Sequence, residues 1–294
     1  MTDDHESGND AAVRLSIVMP AKNEAGAIED LVSRARAAQP DAEIIVVDDG
    51  SEDDTGDIAR RAGATVLRHP VSLGNGAAVK AGARAARGEL IAFMDADGQH
   101  APEDIAKLIE RIDSGFDMAI GARHSRGHAN VGRLFANGLY NEIASKMSGQ
   151  RILDLTSGFR VVRAELFKRF LYMLPNGFSY PTTITMAFLR SGYPIDFVRI
   201  EVTKRIGKSH IRPLRDGLRF FVIIFKIATL YSPLKIFVPT SGLFFVTGMT
   251  YYAYTFATMG RFTNMSMLIL SASVIIFLIG LISEQITALT YSRS

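Results

Sequence analysis

The chain has 294 residues, of which 48% are apolar, a formal net charge of +3, and neither cysteine nor tryptophan. Without cysteine, a disulfide framework, a thiolate nucleophile and a zinc–thiolate site are excluded. The mean hydropathy of +0.14 is high for a purely soluble protein. The apolar excess lies after about residue 218, and basic residues cluster just ahead of it, a placement that favours a membrane surface over nucleic acid.

The first ten residues are polar and acidic, with no apolar core. They read as a disordered tail over 1–12 and not as a secretory signal. Leu15–Met19 is a short β-like run closed by Pro20, followed by the polar Ala21-Lys22-Asn23-Glu24. Residues 27–38 carry helical periodicity at Ile28, Leu31, Val32 and Ala35. A second apolar strand, Glu43–Val47, runs into Asp48-Asp49-Gly50-Ser51, and Asp53-Asp54-Thr55 is placed to cap a helix from Ile58 to Ala62. Thr65–Leu67 is a third short strand, and Gly74-Asn75-Gly76 opens a helix that Gly88 ends.

The next run, Leu90–Met94, stops in Asp95-Ala96-Asp97-Gly98-Gln99-His100. Side chains alternate along an extended chain, so Asp95 and Asp97 project to the same side. Two carboxylates and the Gln99 amide oxygen form an all-oxygen donor set suited to Mg²⁺ or Mn²⁺. His100 is either a further ligand or a cap before Pro102, and capping is the preferred reading. Pro102 sits at a first helical position ahead of Ile105, Leu108 and Ile109, and Met118–Ile120 is a fifth strand leading into Gly121-Ala122-Arg123.

Apolar strands alternating with helices predict a mostly parallel sheet covered on both faces. Two strand ends then deliver carboxylates to one sheet edge, which points to a nucleotide or metal site there. The middle of the chain is less regular. It reads as a helix at 134–147, a polar loop from Asp154 to Arg160, a helix at 164–171, a helix at 182–189 and a strand at 196–202.

Basic residues then gather: Lys204, Arg205, Lys208, Arg212, Arg215 and Arg219. Residues 218–237 are amphipathic, interrupted by Arg219, Lys226 and Lys235. A charge at a bilayer centre costs about 2.5–3.5 kcal/mol on insertion scales, so this stretch is expected in the interface plane. Two uncharged stretches, 236–259 and 265–282, each meet the roughly 20 residues needed to cross about 30 Å of hydrocarbon. The short Gly260–Asn264 segment joins them into a hairpin. The basic block on the globular side, against a lone Arg261 in the turn, puts the domain and both termini on the cytoplasmic side.

These pieces together resemble family 2 glycosyltransferases of the dolichol-phosphate mannose synthase and bacterial polyprenyl-phosphate type. The matching segments are Met19–Glu24, Val47–Ser51, Gly74–Gly76, Asp95–His100, Gly121–Arg123, Thr156–Arg160 and Arg205–Ser209. The resemblance implies a GT-A, Rossmann-like catalytic domain over 13–210, interface helices over 211–235 and a transmembrane hairpin over 236–294. It implies inverting transfer of a sugar from GDP-mannose or a UDP-hexose to a polyprenyl phosphate. It also implies that Pro20, Ala21, Asn23 and Glu24 line the nucleotide pocket and that Asp48 helps to read the base. Asp95, Ala96 and Asp97 would hold the ribose and the metal-bridged diphosphate, with Gln99 completing the metal shell. Arg123 and Arg133 would grip the acceptor phosphate, joined by Arg160, Arg205 and Lys208 around the phosphates. Lys22 departs from many relatives, which carry an aromatic residue there.

A phosphate monoester, with a second pKa of about 6, is largely dianionic near neutral pH, so no general base is needed. Asp154 is therefore read as orienting Arg160 or the acceptor, although an acid in this region can serve as a base for alcohol acceptors. Two other readings stay open: a polysaccharide synthase, disfavoured because a Q-x-x-R-W element needs a tryptophan, and a non-catalytic membrane scaffold. The expected partners are a nucleotide sugar, a polyprenyl phosphate and the membrane, without nucleic acid; a homo-oligomer is left open.

Overall fold

The protein was analysed as a computed structural model that describes residues 13–123, 131–177, 179–202, 225 and 231–291. The described residues hold seven strands in one sheet, ordered β3-β2-β1-β4-β6-β5-β7. Their ranges are β1 Leu15–Ala21, β2 Glu43–Asp48, β3 Thr65–Arg68, β4 Leu90–Phe93, β5 Met118–Arg123, β6 Arg160–Arg163 and β7 Ile195–Ile200. The helices among them are α1 Ile28–Ala38, α2 Thr55–Arg61, α3 Asn75–Ala85, α4 Ile105–Asp113, α5 Val131–Ser148, α6 Ala164–Arg169 and α7 Tyr180–Arg190. β1 to β4 are parallel, and β5 pairs parallel with β7. β6 lies between β4 and β5, antiparallel to both. The sequence reading ends a loop at Arg160 and assigns nothing to 161–163, so this strand is absent from it.

The chain divides into two compact units. The first contains Met1–Arg126, Thr156–Pro181 and Tyr193–Lys208, and so the whole sheet. β1 is buried along its full length, as an interior parallel strand requires. Ile17, Met19, Ile44 and Val46 pack with Leu31, Val32 and Ala35 of α1 and with Ile105, Leu108 and Ile112 of α4. The alternate residues Val18 and Val47 face α3, where a Cβ on Gly82 would come within 2.3 Å of Val18 Cγ1 and 3.2 Å of Val47 Cγ2. Pro20 continues β1 instead of closing it. Pairing with β4 stops at Val18, so the missing Pro20 N–H falls beyond the neighbouring strand.

The second unit contains Gly127–Leu155, Thr182–Gly192 and Ser209–Ser294. Its C-terminal part is an antiparallel pair of helices, α8 Leu234–Met259 and α9 Asn264–Tyr291. Gly260, left-handed at φ +65°, ends α8 with an N–H bond to Phe256 O at 2.9 Å. Thr263 Oγ1 accepts the Ser266 N–H at the start of α9. The buried positions are Ser241, Gly248 and Thr255 on α8, and Ser266, Ser273, Gly280 and Thr287 on α9. Both sets repeat every seven residues, so each helix carries a small-residue seam, and the two seams meet at Ser241 and Ser273. A Cβ on Gly248 would press on Leu270, and one on Gly280 on Phe237. The outward residues are large and apolar, among them Leu243, Val246, Leu268, Ile282 and Leu289.

By length and composition α9 can cross a membrane: its richest 18-residue window has a mean hydropathy of 2.6 and is 17% buried. It is the one described helix that passes this test; α8, with its Thr and Tyr residues, does not. The protein is thus membrane-associated through at least one apolar helix. The amphipathic stretch read at 218–237 lies outside the described residues apart from Phe225, which is exposed, and 231–237.

At the other end of the hairpin, Glu284 of α9 accepts the Leu234 N–H and the Ser232 hydroxyl, each at 3.3 Å. It also pairs with Arg190 at 3.1 Å. Lys235 Nζ donates to Met147 O at 2.7 Å.

Candidate active site at the switch point of the sheet

β1 has β2 on one side and β4 on the other, so the strand order reverses direction beside β1 and opens a crevice at the strand ends. Pro20 and Ala21 end β1, Asp48 ends β2, and Asp95, Ala96 and Asp97 follow β4. Six sequence-predicted positions from three strands therefore reach one edge. The loop after β1 is held open in a defined shape. Asn23 has φ +56°, and its N–H donates to Ser51 Oγ at 3.0 Å while its Oδ1 accepts the Glu52 N–H at 2.8 Å. Glu24 N–H donates to Thr55 Oγ1 at 2.9 Å, and Ala25 N–H to Asp53 Oδ2 at 3.2 Å. Asp53 thus ties the β1 loop to the start of α2, and Asp54 supplies no side-chain cap.

The two adjacent acids of β2 do different work. Asp48 is fully buried, with Oδ1 accepting the Ser51 N–H at 2.9 Å and Oδ2 facing Arg68 Nε at 3.4 Å. Asp49 organises the loop from β3 to α3. It accepts from the Ser72 hydroxyl at 2.8 Å, from the N–H groups of Leu73 and Gly74 at 2.8 and 2.9 Å, and lies 2.7 Å from His69 Nδ1. Burial alone would raise its pKa, but the His69, Leu73, Ser72 and Gly74 bonds hold it down to about 2. Gly50 is needed beside this loop: φ is +66°, and a Cβ would come within 2.6 Å of Ser72 N.

After β4, Asp95, Asp97 and Gln99 are each half-buried. Gly98, at φ +70°, turns the chain so that the Gln99 N–H returns to Asp97 Oδ1 at 3.2 Å. Asn75 at the start of α3 donates to Asp95 Oδ1 at 3.4 Å. No three His, Cys, Asp or Glu side chains gather among the described residues. Two carboxylates plus an amide oxygen still fit a divalent ion that completes its shell with water and substrate phosphate. His100 does not cap the turn that follows. It stacks on Phe159 with ring centroids 4.9 Å apart, and the 102–104 turn has no side-chain cap.

Thr156–Arg160 forms the platform between β4 and β5. Thr156 Oγ1 accepts from exposed Arg123 at 2.7 Å, and the Ser157 hydroxyl donates to Gly121 O at 2.6 Å. A Cβ on Gly158 would sit 3.1 Å from Asp95 Oδ2 and 3.2 Å from the Tyr180 hydroxyl. Tyr180 is buried, and burial followed by the Asp95 charge raises its pKa. Arg160 corrects an expectation. It is fully buried, donates to Ser157 O and Pro181 O, and lies 5.9 Å over the Tyr180 ring. Its guanidinium braces the platform and offers no surface to an acceptor phosphate.

Asp154 is also buried. The residues on either side of it are clamped by one α5 side chain: Asn141 Nδ2 donates to Leu153 O at 2.6 Å, and its Oδ1 accepts the Leu155 N–H at 3.0 Å. Arg133 lies in the first turn of α5 with its side chain outside the described residues, as are Arg205 and Lys208 entirely. The sequence reading missed Asp49 as the loop organiser, Asn75 and Tyr180 as neighbours of Asp95, and Arg68 beside Asp48. Arg68 carried a readable signal, since it ends a third parallel strand at the same sheet edge.

Comparisons with known proteins agree with this architecture. Residues 16–171 match the model of Glycosyl transferase family 2, and residues 232–289 match the GtrB C-terminal hairpin. The polyprenol monophosphomannose synthase of Mycolicibacterium smegmatis is 31% identical over 231 residues, 73% of this chain and 86% of the relative. The dolichyl-phosphate hexose transferase of Haloferax volcanii is 31% identical over 216 residues, 72% of this chain and 93% of the relative. The glucosyl-3-phosphoglycerate synthase of Mycobacterium tuberculosis, solved with Mn²⁺, UDP and phosphoglyceric acid, shares the fold. Its TM-score is 0.59 at 24% identity, covering 74% of this chain and 78% of that one. A sheet with its acids at the switch point, followed by a matched C-terminal hairpin, places this chain in glycosyl transferase family 2.

Proposed function

We propose that the protein transfers a sugar, with inversion, from a nucleoside diphosphate sugar to a polyprenyl phosphate at the cytoplasmic face of a membrane. The observation that carries this reading is the meeting of β1, β2 and β4 ends at one switch point in a chain that also holds an apolar helical hairpin. The relatives named for polyprenol and dolichyl phosphate chemistry support the acceptor class.

The Pro20–Glu24 loop would receive the base and ribose, with Asp48 beneath it. Asp95, Asp97 and Gln99 would hold Mg²⁺ or Mn²⁺. A bound divalent ion there would offset the charge developing on the departing nucleoside diphosphate. Arg123, exposed and steered by Thr156, would grip the acceptor phosphate as a bidentate fork. Arg133, Arg205 and Lys208 would add positive charge that lets two anionic substrates approach. A phosphate oxygen of the lipid attacks the anomeric carbon as the bond to the diphosphate oxygen breaks. The dianionic acceptor needs no base, so buried Asp154 acts in positioning.

The finer topology belongs to the same proposal: α8 and α9 both cross the bilayer, and the catalytic domain and both termini are cytoplasmic. Membranes containing the protein, supplied with Mn²⁺ and a panel of labelled GDP- and UDP-sugars, should glycosylate undecaprenyl or dolichyl phosphate with at least one donor. Absence of transfer with every donor and both lipids would overturn the reading.

A further inference from the structure

Asn141, Ser145 and Ser148 follow one another at spacings of four and three residues, so they share one side of α5. Each bonds the segment that returns from the helix. Ser148 Oγ accepts the Gln150 N–H at 3.3 Å, and Ser145 Oγ accepts the Ile152 N–H at 2.9 Å. Asn141 holds Leu153 O and the Leu155 N–H, one on either side of buried Asp154. The last carbonyls of a helix find no partner within it, and cations suit that end of its dipole. In α5 they are met by the foot of the hairpin. Lys235 Nζ donates to Met147 O at 2.7 Å, and the Tyr231 hydroxyl donates to Ser148 O at 3.3 Å. The turn that carries these two residues is itself fixed. Arg190, the last residue of α7, donates to Tyr231 O, and Glu284 of α9 accepts the Ser232 hydroxyl and the Leu234 N–H. An ion pair between Arg190 and Glu284 closes the ring, with both side chains 21% exposed.

We propose that the foot of the hairpin positions the acceptor side of the site: Lys235, Tyr231, Glu284 and Arg190 are positioning residues that act on Asp154 through α5. The inference rests on the reading of the protein as a polyprenyl-phosphate sugar transferase and adds to it a role for the hairpin beyond anchoring. Every tie from Glu284 to Asp154 lies in the second unit, and α5 also carries Arg133 in its first turn. Pro20–Glu24, Asp48 and Asp95–Gln99 belong to the first unit. A fault at the foot therefore reaches the lipid phosphate and spares the nucleotide. The acceptor is held by the same bilayer as α9, so an acid tied to α9 keeps a fixed register with the phosphate it serves. A chain of contacts alone does not establish coupling; non-additive effects of substitutions along it do.

The test is steady-state transfer by the full-length protein in phosphatidylcholine–phosphatidylglycerol vesicles, with undecaprenyl or dolichyl phosphate varied at saturating donor sugar. The variants are Lys235→Met, Lys235→Arg, Asn141→Ala and the Lys235→Met, Asn141→Ala double variant. Lys235→Met keeps the stem but loses the donor, and it should lower kcat/KM for the lipid about tenfold, as should Asn141→Ala. The double variant should lose little more than either single one, because both act on the same tie, whereas independent sites would multiply. Lys235→Arg, which keeps a charged donor, should recover most of the loss. Calorimetric binding of the donor's nucleoside diphosphate with MnCl₂ should stay within about twofold of wild type in every variant, which separates positioning from loss of the fold. Unchanged lipid kcat/KM in Lys235→Met, a double variant equal to the product of the single ones, or a parallel loss of nucleotide binding would overturn the inference. Wild type that transfers no sugar to either lipid would overturn the transferase reading itself, and this inference with it.

Discussion

Asp97 and Asp49 are both strand-end acids, yet they carry different burdens. Asp97 is half-buried next to Gln99, where a divalent ion would sit, so Asp97→Ala should lower transfer about a hundredfold or more. Membrane insertion should be unchanged, and near-normal transfer would remove Asp97 from the metal set. Asp49 contributes to stability. Its folded pKa of about 2 lies below the ordinary 3.8, so its contribution is fully present above about pH 4 and is lost as pH falls toward 2. That contribution is about 2 kcal/mol. Asp49→Asn should lower stability at neutral pH by a similar amount and flatten its fall between pH 4 and 2, as read by denaturant titration. At this scale the sequence was a partial guide. It showed that acids end β2 and β4, but not that Asp48 and Asp49 turn to different partners. It placed Arg160 at a phosphate through the family resemblance of the Thr156–Arg160 segment; burial by β6 pairing and the Tyr180 ring was invisible in the sequence.

At the scale of elements, helix–sheet closeness is set by missing atoms. Gly82 lets α3 lie on Val18 and Val47, and Gly82→Ala should destabilise by about 1–3 kcal/mol through overpacking. Thermal melting would show this, and a melting temperature equal to wild type would mean that the helix can shift outward freely. Most elements were legible because their apolar runs and periodicities are strong. β1, β2, β4, α1, α3 and α4 fall within a few residues of their expected bounds. β6 was not legible. Its four residues, Arg160–Arg163, put an arginine at each end of two valines, and only pairing with β4 and β5 makes them a strand. The hairpin was legible as apolar length, whereas its seven-residue seams of Ser, Gly and Thr show their meaning only once the helices are paired.

At the scale of the molecule, the natural absence of cysteine makes topology directly measurable. A single cysteine at Arg261 in the hairpin turn should react with a membrane-impermeant maleimide from outside intact cells. One at exposed Ser33 in α1 should react only after permeabilisation. Labelling of both positions from outside would contradict a cytoplasmic catalytic domain. The sequence made the membrane segment and the sheet visible separately. It could not say which α-helices belong with which, because the second unit draws α5 and most of α7 from the middle of the chain.

Glu284 also has a bearing on how the two helices are held in register. It caps the first turn of α8 from the far end of α9, while Gly260 and Thr263 close the opposite end. Backbone groups at both ends of the pair thereby find partners within the chain, as helix termini require. If both helices cross the bilayer, as proposed, the ties at Glu284, Gly260 and Thr263 fix the register of one helix on the other at both ends of the pair.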